Sequence, residues 1–224
     1  MGPRPFRHGQ ITALAAGLIL LASPVGAQDQ SAPPAAAAPA TTIVLARLAS
    51  DPQTPEGYTA HLELHVKLRT FPFIGLTVHG TSTYRKPGAY HYQLQNVPRI
   101  AAKFDDLRYD LGDPTSWGTR YEIAMAPQSS EDAPVLRLTP KKPAIVTYLD
   151  IETDAKHGRM LKATWKRHDG GTIELTQTYT PVGTSEVVTE QRATIDIPHM
   201  RAELTAKYSD VVLDTPVFAT VNER

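Results

Sequence analysis

Four side chains between positions 61 and 79 have types that bind metals: His61, Glu63, His65 and His79. Imidazole and carboxylate suit zinc or copper, and a hairpin over this segment could bring His79 opposite Glu63 or His65 on a polar face. Residues two apart on a strand face stand roughly 6.5–7 Å apart, too loose for a tight site. The set therefore reads as a solvated polar face, and no metal is expected. Asp150, Glu152 and Asp154 could in principle do acid–base work or bind calcium. Their alternation with Leu149, Ile151 and Thr153 marks them instead as the wet side of an amphipathic strand. Asp105 and Asp106 are expected to be exposed. The chain has no Gly-rich phosphate loop, no Gly-x-Ser-x-Gly elbow and no His-Glu-x-x-His helix. The expectation is a protein with no catalytic residues and no cofactor.

Lys and Arg number 23 and Asp and Glu 23, for a formal net charge of zero, so no global field steers nucleic acid or an anionic surface. A hydrophobic fraction of 41% with 21% charged residues is ordinary for a globular domain. Arg4 and Arg7 precede the apolar run Ile11 to Leu21 and the small residues up to Ala27, the order of a secretory signal peptide cut after about Ala27. The run is too short to span a bilayer with ease. The chain contains no Cys, which removes both a lipid-modified N-terminal cysteine and disulfides. We expect a signal peptide over 1–27, a Pro/Ala-rich disordered spacer over 28–41, and a single domain over 42–224. The location expected is the periplasm, with no transmembrane segment after signal cleavage and no nucleic-acid partner.

The elements that would position any site are mostly strands. Tyr58, Ala60, Leu62, Leu64, Val66 and Leu68 alternate with polar residues, which is period-two patterning. Ile74, Leu76, Val78 and Tyr84 form the apolar face of a second strand, with Gly80 and Ser82 between them. Tyr90, Tyr92 and Leu94 form that of a third. Paired residues of an antiparallel ladder share a face, so Tyr84 must oppose Tyr90 or Tyr92; the simplest connection is a three-residue turn, Lys86-Pro87-Gly88. A short helix is expected over 42–50, ended by Asp51-Pro52. A longer one opens at Asn96 and Pro98, with Ile100, Phe104, Leu107 and Leu111 at helical spacing, and ends at Asp113-Pro114. Further strands are expected over 121–126, 135–139, 145–153, 160–167, 172–180, 187–197 and 201–212. The fold class is mainly β (α+β): about ten antiparallel strands and two helices. A sheet that long curls or closes.

The motif His79-Gly80-Thr81-Ser82-Thr83-Tyr84-Arg85-Lys86-Pro87-Gly88-Ala89-Tyr90-His91-Tyr92 resembles the early hairpin of the periplasmic outer-membrane lipoprotein carrier (lipoprotein-sorting) family. Weaker echoes follow at Leu136 to Lys141, Gly158 to Lys166 and Gly171 to Tyr179. The resemblance implies a strongly curved antiparallel sheet forming an incomplete β-barrel, with helices as a lid or plug over an apolar cavity for acyl chains. It also implies that Arg85 and Lys86, beside the Pro, are lid-tether candidates. The function expected is a non-catalytic carrier that shields acyl chains of a lipid or lipoprotein, with Leu64, Val66, Tyr84, Tyr92, Phe104, Leu107, Leu138, Trp165 and Leu175 lining or covering the cavity. One alternative is an envelope sensor or scaffold whose core is fully packed and whose sheet meets a protein partner. Another is an exported metalloenzyme using His61, His65 and His79.

Overall fold

The computed structural model describes residues 40–71, 73–86, 89–95 and 111–214. Helix α1 (Ala40–Ser50) leads into strands β1 (Gly57–Leu68), β2 (Gly75–Arg85) and β3 (Ala89–Leu94). After a 3-10 turn at Pro114–Ser116 and the single turn α2 (Trp117–Arg120), seven more strands follow. They are β4 (Tyr121–Met125), β5 (Val135–Pro140), β6 (Val146–Thr153), β7 (Met160–Arg167), β8 (Thr172–Val182), β9 (Ser185–Ile197) and β10 (Met200–Leu213).

All ten strands form one sheet in the order β3-β2-β1-β10-β9-β8-β7-β6-β5-β4, in which β3 and β4 are unpaired edges. Every neighbouring pair is antiparallel. The sheet curls on itself, because Leu68 of β1 and Leu136 of β5 belong to one core cluster. The result is an incomplete barrel whose inner face is covered in part by α1.

Registers follow the parity of the apolar positions. Leu64 faces Val78 and Val66 faces Leu76; Tyr84 faces Tyr90 and Arg85 faces Ala89, which leaves three residues, 86 to 88, to join β2 to β3. Gly80 is required by close approach: a Cβ there would lie 2.3 Å from the Gln93 carbonyl oxygen of β3. Parity breaks where the ladder bulges. At the Thr59/His61 irregularity β10 carries Asp210 at φ 49°, and beyond it Val211 and Leu213 turn inward while Val212 is left exposed.

Two expectations are corrected. Asp154 does not continue the β6 face: the strand ends at Thr153, and Asp154 caps the following turn by accepting from the backbone N–H groups of Lys156 (2.7 Å) and His157 (3.0 Å). Asp113-Pro114 is not simply a helix end. The Asp113 carboxylate accepts from the Thr115 N–H at 2.8 Å and Pro114 takes the first helical position, so the pair starts the 3-10 turn that runs into α2. Most of the helix expected from Asn96 to Leu111, with Ile100, Phe104 and Leu107, lies outside the described residues.

Candidate functional site

The metal-type cluster is engaged with itself. His65 Nε2 lies 2.6 Å from Glu63 Oε1 and its Nδ1 lies 2.9 Å from Thr77 Oγ1, while His79 Nδ1 stands 4.0 Å from Glu63 Oε2. The His65 hydrogen bond, with the imidazoles nearby, holds the Glu63 carboxyl below its ordinary pKa. Among the described residues no group of three or more His, Cys, Asp or Glu side chains could hold a metal ion. Asp150, expected on a wet face, is largely covered. Burial alone would raise its pKa, but Arg137, donating from Nε and Nη2 at 2.7 Å each, and Gln128 at 2.9 Å outweigh that and hold it low. Arg137 also lies over the Tyr148 ring, 4.0 Å from its centroid. These groups tie outer-face strands together.

The inner face holds a cavity of about 590 Å³. One wall is built by Tyr84, Tyr90 and Tyr92 from β2 and β3, the other by Met160, Leu175 and Tyr179 from β7 and β8. In the strand order β3 and β7 are six steps apart, about 29 Å at roughly 4.8 Å per step if the sheet were flat. Only the curl brings both walls to one cavity. Leu48 and Ala49 of α1, with Leu111, Gly112 and Trp117, cover it.

Period-two alternation places the rings. Tyr58 and Tyr84 face each other across the β1–β2 ladder and stack with centroids 5.1 Å apart; Tyr84 and Tyr90 face each other across β2–β3 at 4.9 Å; Tyr92, two residues on, stacks on Tyr90 at 6.1 Å. With Tyr179 and Tyr208, six of the nine tyrosines of the chain join this cluster. Tyr208 donates to Gln191 Oε1 at 2.6 Å, and the Tyr179 hydroxyl lies 3.0 Å from the Met160 carbonyl oxygen and 2.8 Å from Gln177 Oε1. The Tyr58 hydroxyl is buried beside the Tyr90 side chain and the Val188 backbone without a hydrogen bond of good geometry to either. Burial raises the pKa of Tyr58, Tyr84, Tyr90, Tyr179 and Tyr208 above the phenolic range, so these hydroxyls stay neutral.

One side of the cavity is charged. Arg159, from the β6–β7 connection, is buried between Asp51 (Nε to Oδ2, 3.4 Å) and Glu186, donates to Gln53 Oε1 at 2.6 Å, and stands 5.3 Å from the Tyr179 ring centroid. Asp51 in turn accepts from Gln53 N at 3.0 Å and Thr54 Oγ1 at 2.9 Å, fixing the turn that follows α1. Lys86 reaches the Asp51 carbonyl oxygen at 3.3 Å and Glu56 at 3.5 Å. The α1 cover is seated on Gly158, whose φ is +71° and where a Cβ would lie 2.6 Å from Arg47. Trp117 Nε1 and Arg120 Nη2 donate to the Leu111 carbonyl oxygen at 2.7 and 2.6 Å and hold the other edge of the cover.

Of the candidate lining residues, Tyr84, Tyr92 and Leu175 line the cavity, and so does Lys86, a tether candidate. Leu138 and Trp165 sit in the packed aliphatic core, Val66 is buried and Leu64 half-buried on the same inner face, away from the cavity. Arg85 pairs with Asp214 at 2.6 Å. Phe104 and Leu107 lie outside the described residues. Arg159, Asp51, Glu186 and Gln191 were not singled out from sequence. A lone Arg after Gly158 carries no motif, and only the fold reveals its partners.

No family model matches the chain, and no curated protein matches it. By structure it is similar to a DUF1329 family protein from Desulfovibrio piger, with TM-score 0.54 and 13% identity over 79% of this chain and 94% of that one. It is also similar to a domain from Vibrio parahaemolyticus assigned as an outer membrane lipoprotein-sorting protein, with TM-score 0.52 and 14% identity over 79% of this chain and 91% of that one. At such identity the likeness is one of fold, and the fold is the one the resemblance of the 79–92 hairpin implies.

Proposed function

We propose that the protein is a non-catalytic periplasmic carrier that shields an acyl chain of a lipid or lipoprotein in the tyrosine-lined cavity. The observation that carries this reading is the cavity itself: about 590 Å³, within the roughly 300–1,000 Å³ of small-molecule sites. The fold shared with a domain assigned to lipoprotein sorting supports it. An acyl chain gains about 0.8 kcal/mol for each methylene removed from water, so ten buried methylenes supply roughly 8 kcal/mol before ordering costs. The ring faces of Tyr84, Tyr90 and Tyr92 and the side chains of Leu48 and Leu175 offer that apolar contact. Residues of α1 and the Leu111–Trp117 segment form part of the cover.

The test is direct. Lipid extracted from the purified protein under denaturing conditions is identified by mass spectrometry, and a fluorescent fatty-acid probe is titrated into the delipidated protein. Saturable binding is expected, weakened at least tenfold in Leu175→Trp, which fills the cavity. If no lipid co-purifies and no probe binds, the carrier reading fails and the protein-interaction reading takes its place.

A further inference from the structure

The turns β1–β2, β5–β6, β7–β8 and β9–β10 gather on one rim of the barrel, opposite the rim that carries Lys86, Arg159 and Glu186. Backbone contacts join them: Arg69 N donates to Arg201 O at 2.7 Å, and His168 N donates to Ile145 O at 3.0 Å. At the tip of the β1–β2 turn stand the two most exposed large apolar side chains among the described residues, Phe71 at 88% and Phe73 at 70%. Phe73 holds φ 53°, a conformation that disfavours a bulky side chain. The turn is nonetheless closed, with Phe73 N donating to Thr70 O and Leu68 N to Ile74 O, both at 2.8 Å. The turn thus presents two rings to the outside. Ile145 of the β5–β6 turn is exposed on the same rim.

The charge around these rings is basic. Arg69, Arg167 and Arg201 pair with Glu203, Asp169 and Asp196, whereas Lys141, which donates to the Gly118 carbonyl oxygen, and Lys142 have no carboxylate partner among the described residues. Five cations therefore face three carboxylates, with His168 and His199 beside them. The opposite rim carries the carboxylates of Asp51, Glu56, Glu131, Asp132, Asp154, Glu186 and Asp214 against the cations Arg47, Arg85, Lys86, Lys156 and Arg159, so there carboxylates are in excess. The small charge excess thus changes sign from one rim to the other in a chain of zero net charge.

We propose that the basic rim docks on an anionic bilayer surface, with Phe71 and Phe73 entering the boundary between headgroups and acyl chains and Lys141 and Lys142 facing the phosphates. Exposed aromatic rings on the same rim as lysines without a carboxylate partner match the two attractions of such a surface, apolar insertion and charge. The acidic rim, with Arg159 and Glu186, then points away from the membrane, toward whatever delivers or receives cargo. The inference does not depend on the identity of that cargo.

Flotation with vesicles tests it. The full mature chain should float with phosphatidylglycerol/phosphatidylethanolamine vesicles and bind phosphatidylcholine vesicles at least tenfold less, with binding weakened by salt. Phe71→Ser/Phe73→Ser should lower binding at least tenfold, and Lys141→Glu/Lys142→Glu severalfold with a shallower salt dependence. Phe73→Gly separates misfolding from lost contact, because it relieves the positive φ and should melt no lower than wild type while binding less. Absence of flotation in the wild type, or equal binding by the double Ser variant, overturns the proposal. So does a concentration-dependent dimer without vesicle binding that the Ser variant abolishes, since the occupant would then be a second copy.

Discussion

The inner face of the sheet is built twice, in two ways. Along β4 to β8, under α1, Leu136, Leu138, Leu149 and Ile151 interdigitate with Ala163, Trp165 and Ile173 into a dry core. Along β1 to β3, with the far ends of β9 and β10, the same alternation delivers Tyr58, Tyr84, Tyr90, Tyr92 and Tyr208, and beside them lies the cavity. Branched aliphatic side chains fill volume in staggered rotamers and have no polar atom to satisfy. Tyrosine rings are stiff plates with a hydroxyl at the far end that demands a partner, so a cluster of them props walls apart. One end of the barrel is closed by packing, and the other is held open by ring stacking and a charged border.

Arg159 makes the largest difference between the two regions, because only the cavity side depends on buried charge. Removing it in Arg159→Ala leaves Asp51, itself buried, and Glu186 uncompensated, at a cost of about 3–5 kcal/mol. Urea denaturation measures this. Adding Asp51→Asn and Glu186→Gln to the Ala variant should restore much of the loss, and a triple variant no better than the single one would show that ring packing, not charge, limits this side.

Next in size is the response to truncation. Leu138→Ala, at a side chain with no solvent exposure, should cost about 3 kcal/mol, because the dry core cannot collapse around the missing atoms. Tyr92→Leu, at a half-buried ring that already borders the cavity, should cost under about 1.5 kcal/mol. The order reverses in cargo binding, where Tyr92→Leu should weaken the fatty-acid probe and Leu138→Ala leave it unchanged. Equal stability losses at both sites would mean that the tyrosine side is as tightly packed as the aliphatic side.

The sheet was legible because alternation is a local signal: Leu62 to Leu68, Ile173 to Tyr179 and the parity of Tyr84 with Tyr90 each constrain register within a few residues. The division of the inner face into a core and a cavity was not. Leu138 and Trp165 look from sequence like Leu175, and only the curl of the sheet decides which of them meets α1 and which meets empty space. The Asp51–Arg159–Glu186 group was invisible for the same reason, since its members stand more than a hundred residues apart in part and meet across three connections. The bulge at Asp210 shows the limit of parity itself, because one left-handed residue exchanges the inner and outer faces for the rest of β10.

The smallest effect near neutral pH becomes informative in alkali. Burial raises the folded pKa of Tyr58, Tyr84, Tyr90, Tyr179 and Tyr208, whereas in the unfolded chain each titrates near the ordinary phenolic value, about 10. A group whose pKa is raised by folding contributes stability that is complete below its unfolded pKa and is lost as pH rises through that value toward the folded one. Ionisation of the unfolded state therefore draws the equilibrium toward unfolding above about pH 10. Tyr90→Phe removes one such group, so the gap between wild type and variant should narrow or change sign between pH 8 and pH 11 in paired urea titrations. Leu138→Ala should instead shift the curve by the same amount at both pH values, because none of the buried members of the aliphatic core titrates. A Tyr90→Phe difference that does not change with pH would mean that the hydroxyl is solvated in the folded protein, and the cavity would then be a water-filled cleft rather than an apolar one.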